Sequence, residues 1–530
     1  MNLPRLIAMI QPISVLILLT SIRLATGLDG VAAPSLRDDD EPTEFQSLCS
    51  SQLETAIDAV TRRSEFARSR WGIAIETLST PNTLYRRDAE RYFIPASNVK
   101  LLTTAAALRQ LSPQFRIRTS VYGTGTIPNL ASLRVVGRGD PSLTTAELTN
   151  LAQQLKRQGV RRVQQLIVDN SYFQKSGINP TWEWEDIHYA YGTSVNSLIL
   201  NQNAVTLTLV PQQPGQPLQL SWNDLVAARQ WRVENQSRTA AAGTKNSVEV
   251  TGVMGQRLLH IKGELAADSQ PDSWNLAIPD PAHYFLESFR LILASQGITV
   301  ARSEVTVSPE SAHTKLNSVV VSDTGTPPNH SPHRVLPLIA TWYQSMTELA
   351  VVESPPLAEL VMETNQESNN LYAEALLQTL GTEVSRESTP DTGVTAVKLV
   401  LTELGVDPES YVLADGAGLS RHNLVSPDAI AQTLQLMVQT PQASVYRASL
   451  PIAGVTGTLR DRFRNTSAQG NLRAKTGTLS GASALSGYLD VPDYQPLVVS
   501  IIVNQSDQST ATLRQAIDEI ILLLTRLRSC

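Results

Sequence analysis

The stretch FIPASNVKLLTTAAAL, residues 93–108, decides how the rest of the chain is interpreted. An apolar lead-in and Pro95 precede a run rich in alanine and leucine, a pattern that predicts a helix beginning close to Ser97. The run is apolar on all sides, as expected of a helix buried at the centre of a domain. Lys100 should therefore lie inside a buried helix, three residues and about one turn beyond Ser97.

The spacing of Ser97 and Lys100 suits nucleophilic catalysis. A serine hydroxyl is a weak nucleophile and needs a nearby base. A lysine can act as that base when burial and the positive end of a helix dipole favour its neutral amine. Free N–H groups at the same helix end can stabilise an oxyanion. A serine cap followed by a solvated lysine is the alternative, but a lysine in an apolar helix is costly unless it is used.

The composition excludes several classes of protein. The chain has 530 residues, 42% hydrophobic and 17% charged, an ordinary globular mixture that is long enough for two to four domains. A net charge of −6 gives no indication of a nucleic-acid partner. His330 and His333 are close together but lie in a proline-rich stretch without neighbouring acids, so no metal site is predicted. No P-loop, C-x-x-C or G-x-S-x-G motif occurs, and no cofactor is expected.

The N-terminus has the pattern of an export signal. Arg5 precedes a mostly apolar run at 6–20, and small residues follow up to position 33. We therefore predict a signal peptide over residues 1–33, with an uncleaved anchor as the alternative, and a flexible acidic leader over 34–46. No other segment is apolar for long enough to span a bilayer.

The chain contains two cysteines, Cys49 and Cys530. Export permits a disulfide, and both residues flank predicted terminal helices that could pack side by side. We predict a bond between them, with two free thiols as the alternative.

The order of predicted elements indicates a discontinuous domain. Helices at both ends of the chain and strands beside both predict an α/β (α+β) domain, residues 47–110 and 336–530, in which helices flank an antiparallel sheet. Helical periodicity is predicted to resume near Leu336. Residues 111–335 show mainly strand-type alternation, which predicts a large β-rich insertion, interpreted as two nested subdomains.

Two further short motifs carry candidate site residues. Ser368-Asn369-Asn370 lies between predicted helices, where a hydroxyl can relay a proton and an amide can bind a carbonyl. Lys475-Thr476-Gly477-Thr478 lies in a predicted strand, where a cation and two hydroxyls can hold a carboxylate and Gly477 permits a close approach. Taken alone, the first motif could be an ordinary polar turn, and the second could be an ordinary edge strand. Together, the order S-x-x-K, S-x-N, K-T-G matches the signature of class A β-lactamases and penicillin-binding proteins.

Longer segments carry a more specific resemblance. They are GDPSL at 139–143, WEWED at 182–186, DGAGLSRHN at 415–423 and LPIAG at 450–454. With these segments the chain resembles the D-alanyl-D-alanine carboxypeptidase/endopeptidase family of the penicillin-binding protein 4 type, peptidase family S13, over nearly all of its mature length. The resemblance implies a penicillin-recognising serine transpeptidase-like fold with a large insertion. It also implies an exported protein, periplasmic or associated with the cell wall.

The resemblance also implies catalytic roles. Ser97 would be the acyl-accepting nucleophile and Lys100 its general base. Ser368 would relay a proton towards the leaving amine, and Asn370 would bind the peptide amide. The backbone N–H groups of Ser97 and Thr478 would form the oxyanion hole.

Substrate-binding roles follow from the same resemblance. Lys475, Thr476 and Thr478, with Gly477 in the same strand, would bind the terminal carboxylate. The positions that would line a pocket for a diaminopimelate side chain are Asp186, Tyr191 and Arg421. An acid and a base in one pocket would complement a zwitterionic side chain.

The sequence thus predicts a serine DD-peptidase acting on peptidoglycan stem peptides, as a D-Ala-D-Ala carboxypeptidase, a D-Ala-diaminopimelate endopeptidase or both. β-Lactams would acylate Ser97 as covalent inhibitors. A β-lactamase or esterase on the same fold is one alternative, and a non-catalytic cell-wall binding protein is another. The long insertion between Lys100 and Ser368 favours the peptidase over the compact lactamases, and the intact motifs favour an enzyme.

Overall fold

The computed structural model describes residues 47–79, 82–174, 177–306, 346–385 and 388–530. The predicted signal peptide and leader lie outside the described residues. The part of the chain from Ser47 onward forms one compact unit. None of its described helices is long and apolar enough to cross a membrane.

The helices are α1 (Leu53–Thr61), α2 (Val99–Leu111), α3 (Thr145–Arg157), α4 (Leu225–Ala228), α5 (Pro281–Ser295), α6 (Leu357–Gln366), α7 (Asn370–Val384), α8 (Pro390–Leu404), α9 (Pro427–Val438), α10 (Ala443–Ala448) and α11 (Thr510–Leu524). The strands are β1 (Leu48–Cys49), β2 (Arg70–Thr77), β3 (Thr83–Arg87), β4 (Arg118–Thr126), β5 (Asn129–Val136), β6 (Arg162–Asp169), β7 (Ala204–Val210), β8 (Gln219–Trp222), β9 (Arg232–Asn235), β10 (Arg238–Ala240), β11 (Glu249–Gly252), β12 (Leu258–Lys262), β13 (Glu264–Ala266), β14 (Asp272–Ala277), β15 (Thr299–Thr306), β16 (Thr347–Glu353), β17 (Tyr411–Val412), β18 (Leu424–Val425), β19 (Leu472–Leu479), β20 (Ala482–Leu489), β21 (Leu497–Asn504) and β22 (Leu527–Arg528).

An antiparallel sheet joins the two ends of the chain. Its order is β19-β20-β21-β2-β3, so strands from the C-terminal part lie beside strands that precede Ser97. Side chains alternate between its faces. Val498 and Ile502 pack in the cluster that contains α2, whereas Val499 and Ile501 pack with α1 and α11. The predicted antiparallel sheet flanked by helices is therefore confirmed.

Helix α2 is buried along nearly its whole length. All of its residues except Arg109 and Gln110 are buried, including Lys100. Its alanines and leucines pack in the same cluster as residues of α6, α7, α8 and α9. This environment confirms the central helix that the apolar run predicts.

The insertion is built around a second five-stranded sheet of order β15-β6-β5-β4-β16. Helices α3 and α5 pack against it, and smaller sheets, β14-β7-β8 and β11-β12-β9, complete the insertion's core. Strand β16 pairs antiparallel with β4, so the sheet of the insertion extends to Glu353. The predicted boundary at residue 336 and the helical periodicity expected there are wrong for residues 347–353. The local sequence pattern did not predict this strand, because an edge strand depends on its pairing with a strand that lies far away in the sequence.

The first and last described segments of the chain are joined to each other. Leu48 of β1 pairs in parallel with Leu527 of β22. Cys49 and Cys530 form a disulfide with their Cα atoms 5.7 Å apart. Helices α1 and α11 pack in one hydrophobic cluster, which is the side-by-side arrangement on which the predicted pairing depended.

Candidate active site

Ser97 lies in a tight turn that leads into α2. The turn is a 3₁₀ helix over Ala96–Asn98, and Ala96 has a left-handed backbone with φ of +48°. The buried side chain of Asn98 donates a hydrogen bond of 2.7 Å to Ser486 Oγ in β20. The turn is therefore held between the central helix and the antiparallel sheet, which fixes the position of the serine.

Lys100 is completely buried beside Ser97. Its Nζ donates to Ser97 Oγ at 3.0 Å, to Asn370 Oδ1 at 2.6 Å and to the Ala417 carbonyl oxygen at 2.6 Å. Burial lowers the pKa of Lys100 to about 7, although a buried carboxylate, Asp415, acts in the opposite direction. A neutral amine is therefore accessible near neutral pH, and it lies within reach of the serine proton.

Lys475 is a second fully buried lysine in the site. Its Nζ donates to Ser368 Oγ at 2.8 Å and to the Thr476 carbonyl oxygen at 2.9 Å. Burial and then the charge of Lys100 lower the pKa of Lys475 well below its usual range. Ser368 has a left-handed backbone, with φ of +58°, just before α7 begins. The structure thus brings the three short motifs together through two lysine-centred sets of hydrogen bonds.

The strand β19 runs along the serine turn. A Cβ on Gly477 would lie 2.7 Å from the Pro95 carbonyl oxygen, so only glycine permits this approach. Thr476 Oγ1 donates to Thr458 Oγ1 at 2.8 Å. Thr478 Oγ1 accepts a hydrogen bond of 3.2 Å from Arg514 Nη2 on α11. Arg514 was not predicted from sequence, because nothing local distinguishes it from other exposed helix cations.

The predicted pocket residues of the insertion reach the same site. Asn370 Nδ2 donates to the Tyr191 carbonyl oxygen at 2.8 Å, and the Tyr191 hydroxyl donates to Asp186 Oδ1 at 2.9 Å. Burial raises the pKa of Asp186, with the Tyr191 hydrogen bond opposing it. Arg421 pairs with Glu183 at 2.8 Å and donates to the Ser480 carbonyl oxygen at 3.0 Å. Acidic and basic side chains therefore lie close to each other beside the site.

Glu374 is a site residue that the sequence analysis missed. It lies on α7, four residues after Asn370 and therefore on the same face. Its side chain is buried, and Oε1 accepts the N–H groups of Gly416 at 2.7 Å and Ala417 at 2.8 Å. The sequence signal that could have identified Glu374 is an acidic residue in an otherwise apolar helix, four residues after Asn370.

Asp415 is a second buried acid without a predicted role. Its carboxylate accepts the N–H groups of Gly418 and Ser420, each at 2.6 Å. Asn423 Nδ2 at 2.8 Å and Trp182 Nε1 at 2.9 Å complete four hydrogen bonds. Among the described residues, no three histidine, cysteine, aspartate or glutamate side chains are grouped as a metal site.

We expect Gly418→Ala to destabilise the protein more than Gly470→Ala. Both glycines have a left-handed backbone, with φ of +80° and +76°. A Cβ at 418 would lie 1.9 Å from the Ala96 carbonyl oxygen, whereas one at 470 meets nothing within 4 Å. The shared backbone strain costs about 1–2 kcal/mol, and the clash at 418 adds about 1–3 kcal/mol. Denaturant midpoints of the two variants test this. Equal shifts would contradict the close approach.

Comparisons with known proteins agree with this geometry. A family model described as the D-Ala-D-Ala carboxypeptidase 3 (S13) family matches residues 53–323 and 337–526. A D-alanyl-D-alanine carboxypeptidase of Actinomadura sp. (strain R39) is 32% identical over 470 residues, which are 86% of this chain and 81% of that protein. The D-alanyl-D-alanine carboxypeptidase DacB of Haemophilus influenzae is 25% identical and covers 79% of this chain and 82% of its own length.

A solved structure shows the same fold. The crystal structure of penicillin binding protein 4 from Haemophilus influenzae matches with a TM-score of 0.72 at 23% identity, and covers 88% of this chain and 98% of that chain. A second structure of that protein, complexed with a β-lactam, matches with a TM-score of 0.67 at 22% identity and covers the same shares of both chains. Both the family match and the carboxypeptidase relatives span most of the sequence, and the chain therefore belongs to the D-Ala-D-Ala carboxypeptidase 3 (S13) family of serine peptidases.

Proposed function

We propose that this serine peptidase cleaves D-alanyl bonds in peptidoglycan stem peptides through an acyl-enzyme on Ser97. The observation that carries the proposal is the 3.0 Å hydrogen bond between Lys100 Nζ and Ser97 Oγ, formed by a lysine that is completely buried. Such an amine loses its proton near neutral pH and can then accept the serine proton.

Acylation uses the groups around Ser97. Oγ attacks the carbonyl carbon of the penultimate D-alanine while its proton passes to Lys100 Nζ. The backbone N–H groups of Ser97 and Thr478 donate hydrogen bonds to the carbonyl oxygen and so stabilise the negative charge that develops on it. Asn370 binds the peptide amide.

The leaving group departs when the tetrahedral intermediate collapses. The C–N bond breaks, and the amine nitrogen takes the proton that Lys100 received from Ser97, relayed by Ser368, whose Oγ is 2.8 Å from Lys475 Nζ. Water then attacks the ester carbonyl carbon as it gives a proton to the neutral Lys100 amine, the C–O bond to Ser97 breaks, and Lys100 returns the proton to the serine oxygen. The products are a free carboxylate and the released amine.

The carboxylate of the leaving group is bound at β19. Lys475, Thr476 and Thr478 present a cation and two hydroxyls along the strand, and Arg514 adds a second cation at its end. Because Thr478 Oγ1 accepts from Arg514, its own hydroxyl proton is available to a carboxylate. The proposed subsite therefore selects substrates that carry a negative charge next to the scissile bond.

The rim formed by Asp186, Tyr191 and Arg421 is proposed to receive the side chain of the peptide. An acid and a guanidinium at one opening complement the amine and carboxylate of a diaminopimelate residue. The same rim could bind the side chain of a free stem peptide or of a cross-linked one. We therefore propose both carboxypeptidase and endopeptidase action. The pattern of residues 1–33 supports an exported protein that meets this substrate in the periplasm or at the cell wall.

We expect a fluorescent penicillin to label the wild-type protein and to leave Ser97→Ala unlabelled, because only Oγ can form the ester. Lys100→Ala should fold but acylate at least about 100-fold more slowly, the scale of a lost general base. Gel fluorescence followed over time measures both. A long-lived adduct supports the peptidase. A Ser97-dependent adduct that disappears while penicillin is hydrolysed would indicate a β-lactamase, and a folded wild type without label would contradict the proposal.

The acylation rate should depend on pH through Lys100. Protonation removes the lone pair of the base, so below its pKa of about 7 the rate should fall about tenfold for each pH unit. Above that pKa the rate should reach a plateau. The second-order rate constant for penicillin labelling between pH 5.5 and 9 measures the profile. A rate that stays constant down to pH 5.5 would exclude Lys100 as the titrating base.

Arg514→Gln should weaken selection for a terminal carboxylate. For an acyl-D-Ala-D-Ala peptide we expect kcat/KM to fall by about 10-fold or more, since hydrogen bonds to charged groups contribute about 1.5–3 kcal/mol. The matching carboxamide should be cleaved at an unchanged rate. Gln515→Ala, an exposed neighbour on α11, is the control. Equal losses on both peptides would contradict the assignment of Arg514.

A further inference from the structure

Glu374 is a buried acid that no step of the proposed reaction uses. It is 3% exposed, and its Oε1 holds two consecutive backbone N–H groups, those of Gly416 and Ala417. The carbonyl oxygen of the same Ala417 accepts from Lys100 Nζ at 2.6 Å. A single residue of this loop therefore connects the acid to the lysine.

The same loop also lies against the nucleophile. Gly418 is in contact with the backbone of Ala96 and Ser97, where a Cβ would fall 1.9 Å from the Ala96 carbonyl oxygen. Thr103 Oγ1 donates to the Gly416 carbonyl oxygen at 2.8 Å, which ties the loop to α2. Any displacement of the 416–418 segment would therefore be felt by both Ser97 and Lys100.

The hydrogen bonds of Lys100 define where its lone pair must point. A neutral amine has two hydrogens and one lone pair. The Ala417 carbonyl oxygen can only accept a hydrogen, and Asn370 presents Oδ1 as an acceptor because its Nδ2 is used on Tyr191. With both hydrogens engaged there, the remaining lone pair is directed at the Ser97 hydroxyl, 3.0 Å away.

Four charged or titratable groups face one another here, from four segments of the chain. Glu374 comes from α7, Lys100 from α2, Asp415 from the loop and Lys475 from β19. Burial raises the pKa of Glu374 to about 8, and Asp415 contributes in the same direction. In return, Asp415 and Glu374 both favour the protonated form of Lys100 against its burial.

We propose that Glu374 is a positioning residue for acylation, which fixes the Ala417 carbonyl against Lys100 so that the lone pair of the neutral amine is aimed at Ser97. The inference rests on the proposed role of Lys100 as the base. Glu374 touches no substrate and acts only through the loop. Its loss should slow the chemical step and leave the noncovalent binding of the ligand intact.

The test compares Glu374→Ala, Glu374→Gln and Gln378→Ala in the full chain. Alanine removes the acceptor, whereas glutamine retains an oxygen at the same reach. Gln378 is buried one turn further along α7, and its side-chain oxygen lacks a hydrogen-bond partner among the described residues, so its truncation controls for a lost buried side chain. Stopped-flow labelling with fluorescent penicillin separates the dissociation constant of the first complex from the acylation rate constant. The labelled fraction counts active molecules.

In Glu374→Ala we expect the acylation rate constant to fall by about 10-fold to 100-fold, the effect of misplacing a reacting group by about 1 Å. The dissociation constant should change by less than about twofold, because Lys475 and Thr478 are untouched. The acidic limb of the pH profile should move to lower pH, since Lys100 loses a carbonyl acceptor that favours its charged form. Glu374→Gln should stay within about threefold of the wild-type rate, because it retains the acceptor. Gln378→Ala should keep the wild-type rate.

An unchanged acylation rate in Glu374→Ala would overturn the inference, and so would an equal loss in Glu374→Gln. If the alanine variant does not fold, Glu374→Asp keeps the carboxyl group but withdraws it by one methylene. We then expect a slower rate than in Glu374→Gln, and the reverse order would overturn the inference. A wild type that takes no label would instead contradict the proposed function itself, so the two failures are distinguishable.

Discussion

The burial of two lysine side chains within one site is the constraint on which the rest of this structure depends. Removing a charge from water costs several kcal/mol or more, so a buried lysine must have partners or lose its proton. Lys100 has three oxygen partners and Lys475 has two, drawn from helix, loop and strand. These partners fix the relative positions of the elements that carry them, and the same burial prepares Lys100 to act as a base.

The loop around Asp415 connects the buried lysines to the nucleophile, Ser97. Asp415 is satisfied by four donors, which include two backbone groups of its own loop and the indole of Trp182 from the insertion. Four donors satisfy the oxygens of this buried side chain, so no polar atom of it is left without a partner. These hydrogen bonds restrict the loop where Gly418 passes the Ser97 turn, so a polar network contributes to the preorganisation of the reacting groups.

The insertion forms part of the wall of the site. Asn179 Nδ2 donates to the Ala414 carbonyl oxygen at 2.9 Å, and Thr181 Oγ1 donates to Ser420 Oγ at 2.7 Å. The backbone carbonyl oxygen of Tyr191 accepts a hydrogen bond from Asn370, and its hydroxyl donates one to Asp186. The insertion thus contacts Asn370 and supports the loop that holds Lys100.

The sequence by itself determined the elements whose signal is local. The apolar run around Lys100 specified a buried helix, the strand patterns at both ends specified the antiparallel sheet, and three short motifs with longer family segments identified the peptidase. The tertiary structure alone decided what depends on contacts between distant residues. Strand β16 exists because β4 pairs with it, and Glu374 matters because its helix lies under residues 416–417. Arg514 reaches Thr478 only after α11 packs on the sheet, 36 residues further along the chain. Hydrogen bonds between residues far apart in sequence leave no periodic pattern, which is the physical reason that these contacts could not be predicted from the sequence.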